Sequence, residues 1–62
     1  MPNYSVFTIS KDGKRQKRMT CQKYGAAIEL AQIYYGEGAR GAWVESADAD
    51  DPVIKFKLGE IF

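Results

Sequence analysis

The sequence predicts a single α+β domain over residues 1–62, ordered β-β-α-β-β, with one helix packed on one face of a mainly antiparallel sheet. Three observations predict it. An aromatic and β-branched run, Tyr4 to Ser10, is followed at once by the turn dipeptide Asp12-Gly13. The stretch from Cys21 to Tyr35 repeats apolar residues at helical spacing and ends in Gly36 and Gly38. Val53 to Leu58 alternates Ile54, Phe56 and Leu58 with Lys55 and Lys57, the two-residue period of a strand with one covered face.

In the first strand, Tyr4, Val6 and Thr8 share one side and Ser5, Phe7 and Ile9 the other, and neither side is decisively polar. Asp12-Gly13 then returns the chain into a second strand, Lys14 to Thr20. A two-residue loop sets Val6 opposite Met19 and Thr8 opposite Lys17. A type I turn with Gly13 as a bulge instead sets Phe7 opposite Lys17 and exchanges the two faces. Both registers are open to this sequence. Thr20 is placed to cap a helix, whose apolar side takes Tyr24, Ala27, Ile28, Ala31, Tyr34 and Tyr35, with Gly25, Glu29 and Gln32 opposite. Ala42 to Ala47, containing Trp43 and Val44, reads as the third strand. Asp48-Ala49-Asp50-Asp51-Pro52 connects it to the fourth, where Pro52 and the carboxylates suit a loop better than a ladder.

Composition removes several classes of function. There is one cysteine, Cys21, and no histidine, so neither an internal disulfide nor a zinc site of the usual Cys and His ligands can be built. No histidine or buried carboxylate is on offer as a general base, and Cys21 has no imidazole to activate it, so the expectation is a protein without catalytic activity. The glycines after the helix are on the wrong side of it for a phosphate loop. Asp48 and Asp50 share the first spacings of a calcium loop, but Pro52 takes the place of the next ligand, so no metal and no cofactor is expected. No apolar run approaches a membrane span and Met1 to Ser10 lacks the features of a signal peptide, so a cytoplasmic protein with no membrane partner is the expectation.

The charge is segregated. Lys11, Lys14, Arg15, Lys17, Arg18 and Lys23 stand against Asp12 alone, whereas beyond them seven carboxylates face Arg40, Lys55 and Lys57. A basic hairpin is a candidate phosphate-binding surface, because neutralising phosphates releases condensed counterions. The candidate nucleic-acid contacts are Lys11, Lys14, Arg15, Lys17 and Arg18, joined by Lys55 and Lys57 if the fourth strand turns its lysines to the same open sheet face. The bland reading is that the tyrosines and Trp43 fill the small core while the lysines form a solvated face that keeps the sheet soluble.

Lys11-Asp12-Gly13-Lys14-Arg15-Gln16-Lys17-Arg18, followed by Tyr24-Gly25-Ala26-Ala27-Ile28-Glu29-Leu30-Ala31, resembles the pattern of AP2-like DNA-binding domains and of the arm-binding domains of tyrosine integrases. The resemblance covers roughly the first half of the chain. It implies a basic sheet laid against DNA and backed by an alanine-rich helix, with Arg15, Lys17 and Arg18 as DNA-contacting side chains. Those families place three strands before the helix and a tryptophan in the basic strands; here two strands precede the helix and Trp43 follows it.

Two functions are expected to compete. One is DNA binding through the basic hairpin. The other is a small adaptor or inhibitor, of the kind encoded by phage and mobile elements, that binds a host protein through its sheet edge, the acidic loop Asp48, Asp50 and Asp51, or a surface carrying Trp43. Ile33, which lies off the main apolar stripe, and Ile61 and Phe62 either cover the rim of the core or form a homodimer or partner patch, because a chain this short buries only about 60% of the surface its unfolded form exposes.

Overall fold

The computed structural model, which describes residues 3–46 and 53–61, has the expected β-β-α-β-β order: β1 (Tyr4–Ile9), β2 (Arg15–Cys21), α1 (Tyr24–Gly36), β3 (Gly41–Ser46) and β4 (Ile54–Gly59). The strands form one antiparallel sheet in the order β2-β1-β3-β4. After the β1–β2 hairpin the chain crosses the sheet as α1, so that β3 pairs with the free side of β1 and these two become the inner strands. Among the described residues no helix is long and apolar enough to cross a membrane.

The hairpin closes through Ser10: its carbonyl accepts from the Gly13 amide and its own amide donates to the Lys14 carbonyl, both at 2.9 Å. Gly13 has φ +89°, the left-handed geometry that completes a type I turn with a glycine bulge. The Asp12 carboxylate accepts from the Ser10 hydroxyl and from the Lys14 amide, and these two bonds hold its pKa below the ordinary 3.8. Its contribution to stability is therefore complete above the ordinary value and is lost as the pH falls through the lower folded value. Asp12→Asn, which keeps an acceptor oxygen but cannot titrate, should flatten the acid limb of a melting-temperature profile; an unchanged acid limb would show that the turn carboxylate is not coupled to folding.

Both hairpin registers open to the sequence occur, one on each side of Arg18. Val6 faces Met19, whereas Phe7 faces Lys17, so Arg18 is the extra residue of a β-bulge. The parity of β2 changes there. A second bulge lies in β4, where Val44 faces Phe56 but Glu45 faces Ile54, leaving Lys55 without an opposite residue.

One sheet face carries Tyr4, Val6 and Thr8 of β1 with Ala42 and Val44 of β3, and α1 covers it. Ala27 and Ala31, four residues apart and both 0% exposed, present no more than a methyl group each and let the helix axis settle directly onto Val6, Ala42 and Val44. Tyr4, Cys21, Leu30, Tyr34 and Phe56 close the margin of this core, with the Tyr4 and Tyr24 rings 5.2 Å apart at one end. Ile54, expected under the helix with Phe56, is instead displaced by the Lys55 bulge and exposed.

The helix starts later than the apolar spacing suggests. Cys21 pairs with Tyr4 and Thr20 with Ser5, so both belong to β2, and the residue preceding the helix is Lys23, which makes no side-chain cap. At the other end Gly36 is still helical and Gly38, at φ +112°, takes the left-handed position. The Ala39 amide donates to Tyr34 and the Gly38 amide to Tyr35, a Schellman closure that fixes the last turn beneath Tyr34.

The opposite face, expected to stay open, bears a second cluster of Ile9, Trp43 and Ile61 with Phe7 against it. Ile61 reaches it because the chain after β4 folds back across the sheet. Gly41 and Gly59 pair across β3 and β4, and a Cβ on Gly41 would run into the Glu60 carbonyl. Gly59 has φ +68° and would collide with the Arg40 carbonyl and the Tyr35 ring if it carried a side chain. The Glu60 amide donates to the Arg40 carbonyl and the two side chains form an ion pair at 3.3 Å, which secures the fold-back.

Candidate nucleic-acid interface

Residues paired across an antiparallel sheet share a face, and the observed registers set Lys17, Phe7, Trp43 and Lys57 in one row across all four strands. The row runs cation, ring, ring, cation on the face away from the helix. Its two lysines stand on the outer strands, three strand spacings or about 14 Å apart at the backbone. Both are exposed, and neither forms an ion pair among the described residues. The rings between them stack, with centroids 5.1 Å apart and planes inclined by 7°.

Trp43 is nevertheless 6% exposed. Phe7 covers one side, Ile61 lies over it, and the Arg15 guanidinium sits 5.6 Å from its ring centroid. Arg15 also donates an Nη hydrogen bond to the Ile61 carbonyl at 3.0 Å, tying the C-terminal fold-back to the edge strand β2. Arg15 thus reaches the sheet face, but its planar group is engaged inside the molecule. Phe7, half-buried, is the more accessible ring of the pair.

The basic residues picked from sequence divide between surfaces. Lys17, Lys57 and Arg15 lie on the face away from the helix. Lys14 is in the closing turn, with its amide and carbonyl held by Ser10 and its side chain exposed. Lys55 is exposed at the β4 bulge, and its carbonyl accepts from the Tyr24 hydroxyl at 2.9 Å. Alongside β4, a shallow depression of about 370 Å³ is lined by Ile54, Lys55, Phe56, Lys57 and Ile61. Arg18 leaves this group: thrown to the helix side by the bulge, its Nε donates to the Thr8 hydroxyl at 2.9 Å and its guanidinium lies 5.4 Å from the Tyr34 ring centroid. Lys11 goes with it, its ammonium near Gly38 at the end of the helix.

For a protein partner, the alternative surfaces differ in standing. The acidic residues Asp48, Asp50 and Asp51 lie outside the described residues. The indole of Trp43 is covered, so a partner approaching that face meets Phe7, Ile61 and the lysines first. Ile61 is 5% exposed and already engaged within the chain, while Ile33 remains 54% exposed on the outer side of α1; Phe62 is outside the described residues. Cys21 is a half-buried free thiol beside the helix-side core, and among the described residues no three His, Cys, Asp or Glu side chains gather into a metal-binding group.

Phe7 is absent from the candidates that the sequence offers, and Ile61 is among them only as a cover for the core rim or a dimer or partner patch. Phe7 carried no charge to mark it. Ile61 left an indirect signal in Gly41 and Gly59, a facing pair of glycines that leaves room for the backbone at Glu60 and Arg40 to come close. No family model matches the chain, and neither does any curated protein or solved structure.

Proposed function

We propose that this small α+β domain is a non-catalytic module that binds single-stranded nucleic acid on the sheet face away from the helix. The observation that carries the reading is the row Lys17, Phe7, Trp43, Lys57: two exposed cations, in no ion pair among the described residues, flanking a stacked aromatic pair on a sheet. Sheet-borne rings offer stacking surfaces that tolerate any base, and flanking lysines follow the phosphates. Phe7 is the ring on which a base stacks. Trp43 supports it from behind and is itself held by Arg15 and Ile61. Lys55 and the depression along β4 extend the basic track beyond Lys57, and Lys14 adds a more distant contact at the turn.

The test is a titration with a short single-stranded oligonucleotide and with a duplex at several salt concentrations. Affinity should fall steeply with salt, and the double variant Lys17→Ala/Lys57→Ala should make the log–log slope shallower by about 1.4, two phosphate contacts on a single strand. Lys14→Ala should change it less. Salt-independent binding, or a double variant with the parental slope, would remove the sheet face from consideration; stronger binding to the duplex would shift the reading to the hairpin as the element that enters a groove.

A further inference from the structure

We propose a second binding site, on the helix side of the molecule, in which Arg18 and Lys11 hold a phosphate monoester. It does not depend on the sheet-face reading, since neither residue belongs to that face. A depression of about 300 Å³ opens between the hairpin and the C-terminal end of α1, lined by Thr8, Lys11 and Arg18 from one side and by Tyr34, Glu37 and Gly38 from the other.

Arg18 is oriented by two neighbours. Its Nε is spent on the Thr8 hydroxyl, which is 2% exposed and therefore fixed in place, and the Tyr34 ring supports the guanidinium plane. That leaves both Nη groups as donors, and among the described residues no carboxylate pairs with them. An oriented guanidinium with a free fork is the geometry that receives two oxygens of a phosphate. Lys11 supplies a second cation: its Nζ lies 4.0 Å from the point where a Gly38 side chain would begin, so the ammonium sits beside the helix end. The Schellman closure engages the Tyr34 and Tyr35 carbonyls, which lessens the repulsion that a helix C-terminus otherwise offers an anion.

Size and charge narrow the ligand. A water's share of liquid volume is about 30 Å³, so the depression has room for more than a bare phosphate and falls at the lower end of the range for small-molecule sites. Glu37 on the same wall opposes a second anionic group and can accept from a hydroxyl, which favours a monoester carrying a sugar over a polyphosphate. A nucleoside monophosphate and the 5′-phosphate end of a nucleic acid strand share this chemistry.

The experiment is an NMR titration of the whole chain with inorganic phosphate, a nucleoside monophosphate, and one oligonucleotide bearing either a 5′-phosphate or a 5′-hydroxyl. The monophosphate should shift the amides of Thr8, Gly38 and Ala39, more strongly than inorganic phosphate does. Lys11→Gln, a change at an exposed turn, should weaken binding about tenfold, and Arg18→Lys, which keeps the charge and loses the fork, at least as much. Tighter binding of the 5′-phosphate strand than of the 5′-hydroxyl strand supports the site as a reader of strand ends. Equal binding of the two strands, with the monophosphate still bound, supports it as a site for a free small molecule. The proposal is overturned if no phosphorylated probe moves those amides, or if Lys11→Gln binds as the parent does.

Discussion

Trp43→Ala should leave most of the chain unfolded at room temperature. Removing a large buried aromatic costs about 3–5 kcal/mol, and a core in a domain of this size rarely supplies more than about 3–5 kcal/mol in total. Trp43 is the largest buried side chain of the second cluster; without it, Phe7 loses its stacking partner, Ile61 its seat and the Arg15 guanidinium its ring. Far-ultraviolet circular dichroism with urea denaturation reads the outcome, and Trp43→Phe, which retains a ring, should keep a cooperative transition at a lower midpoint. An alanine variant that unfolds near the parental midpoint would mean that the helix-side core alone holds the sheet together.

Gly41→Ala should detach the C-terminal fold-back while sparing the helix-side core. The new methyl group collides with the Glu60 carbonyl group and approaches the Ile61 side chain, so residues 60 and 61 must lift. Ile61 then leaves Trp43, at a cost of about 1.5–3 kcal/mol for exposing a side chain of that size. The Arg15 bond to the Ile61 carbonyl goes with it. Since this chain has a single tryptophan, its fluorescence reports the event directly: emission should move to the red as water reaches the indole. A variant with parental emission and stability would show that the backbone accommodates the methyl group without moving the fold-back.

The elements that could be read from sequence are those whose pattern stays in phase. β1 keeps strict alternation, and Tyr4, Val6 and Thr8 do share the helix side. Ala27 and Ala31 are buried as their spacing requires, and Gly38 ends the helix as a left-handed residue. Structure departs from the sequence pattern wherever the phase shifts. In β2, Arg15 and Lys17 point to one side and Met19 and Cys21 to the other although all four are odd-numbered, because Arg18 occupies an additional place in the ladder. A two-residue period cannot be followed through such a position. Ile54 and Phe56 diverge across Lys55 for the same reason. Thr20 has the chemistry of a helix cap, but its backbone is claimed by the ladder with Ser5, and long-range pairing outweighs a local preference. For the candidate site, the type of residue was legible and its grouping was not: Lys17 and Lys57 are forty residues apart in sequence and meet in one row only through the order β2-β1-β3-β4.

The two bulges also bear on how copies of this protein meet one another. Among the described residues the outer strands of the sheet are β2 and β4, and each is interrupted by one bulge whose additional residue is basic, Arg18 on one margin and Lys55 on the other. A straight strand from a neighbouring molecule could keep its hydrogen bonds on one side of such an interruption and would fall out of step on the other. Two copies meeting margin to margin would also bring cations together. Lateral growth into fibrils needs long, regular and weakly charged edges, and this sheet offers only short segments at either side, which makes both margins poor templates for an endless ladder.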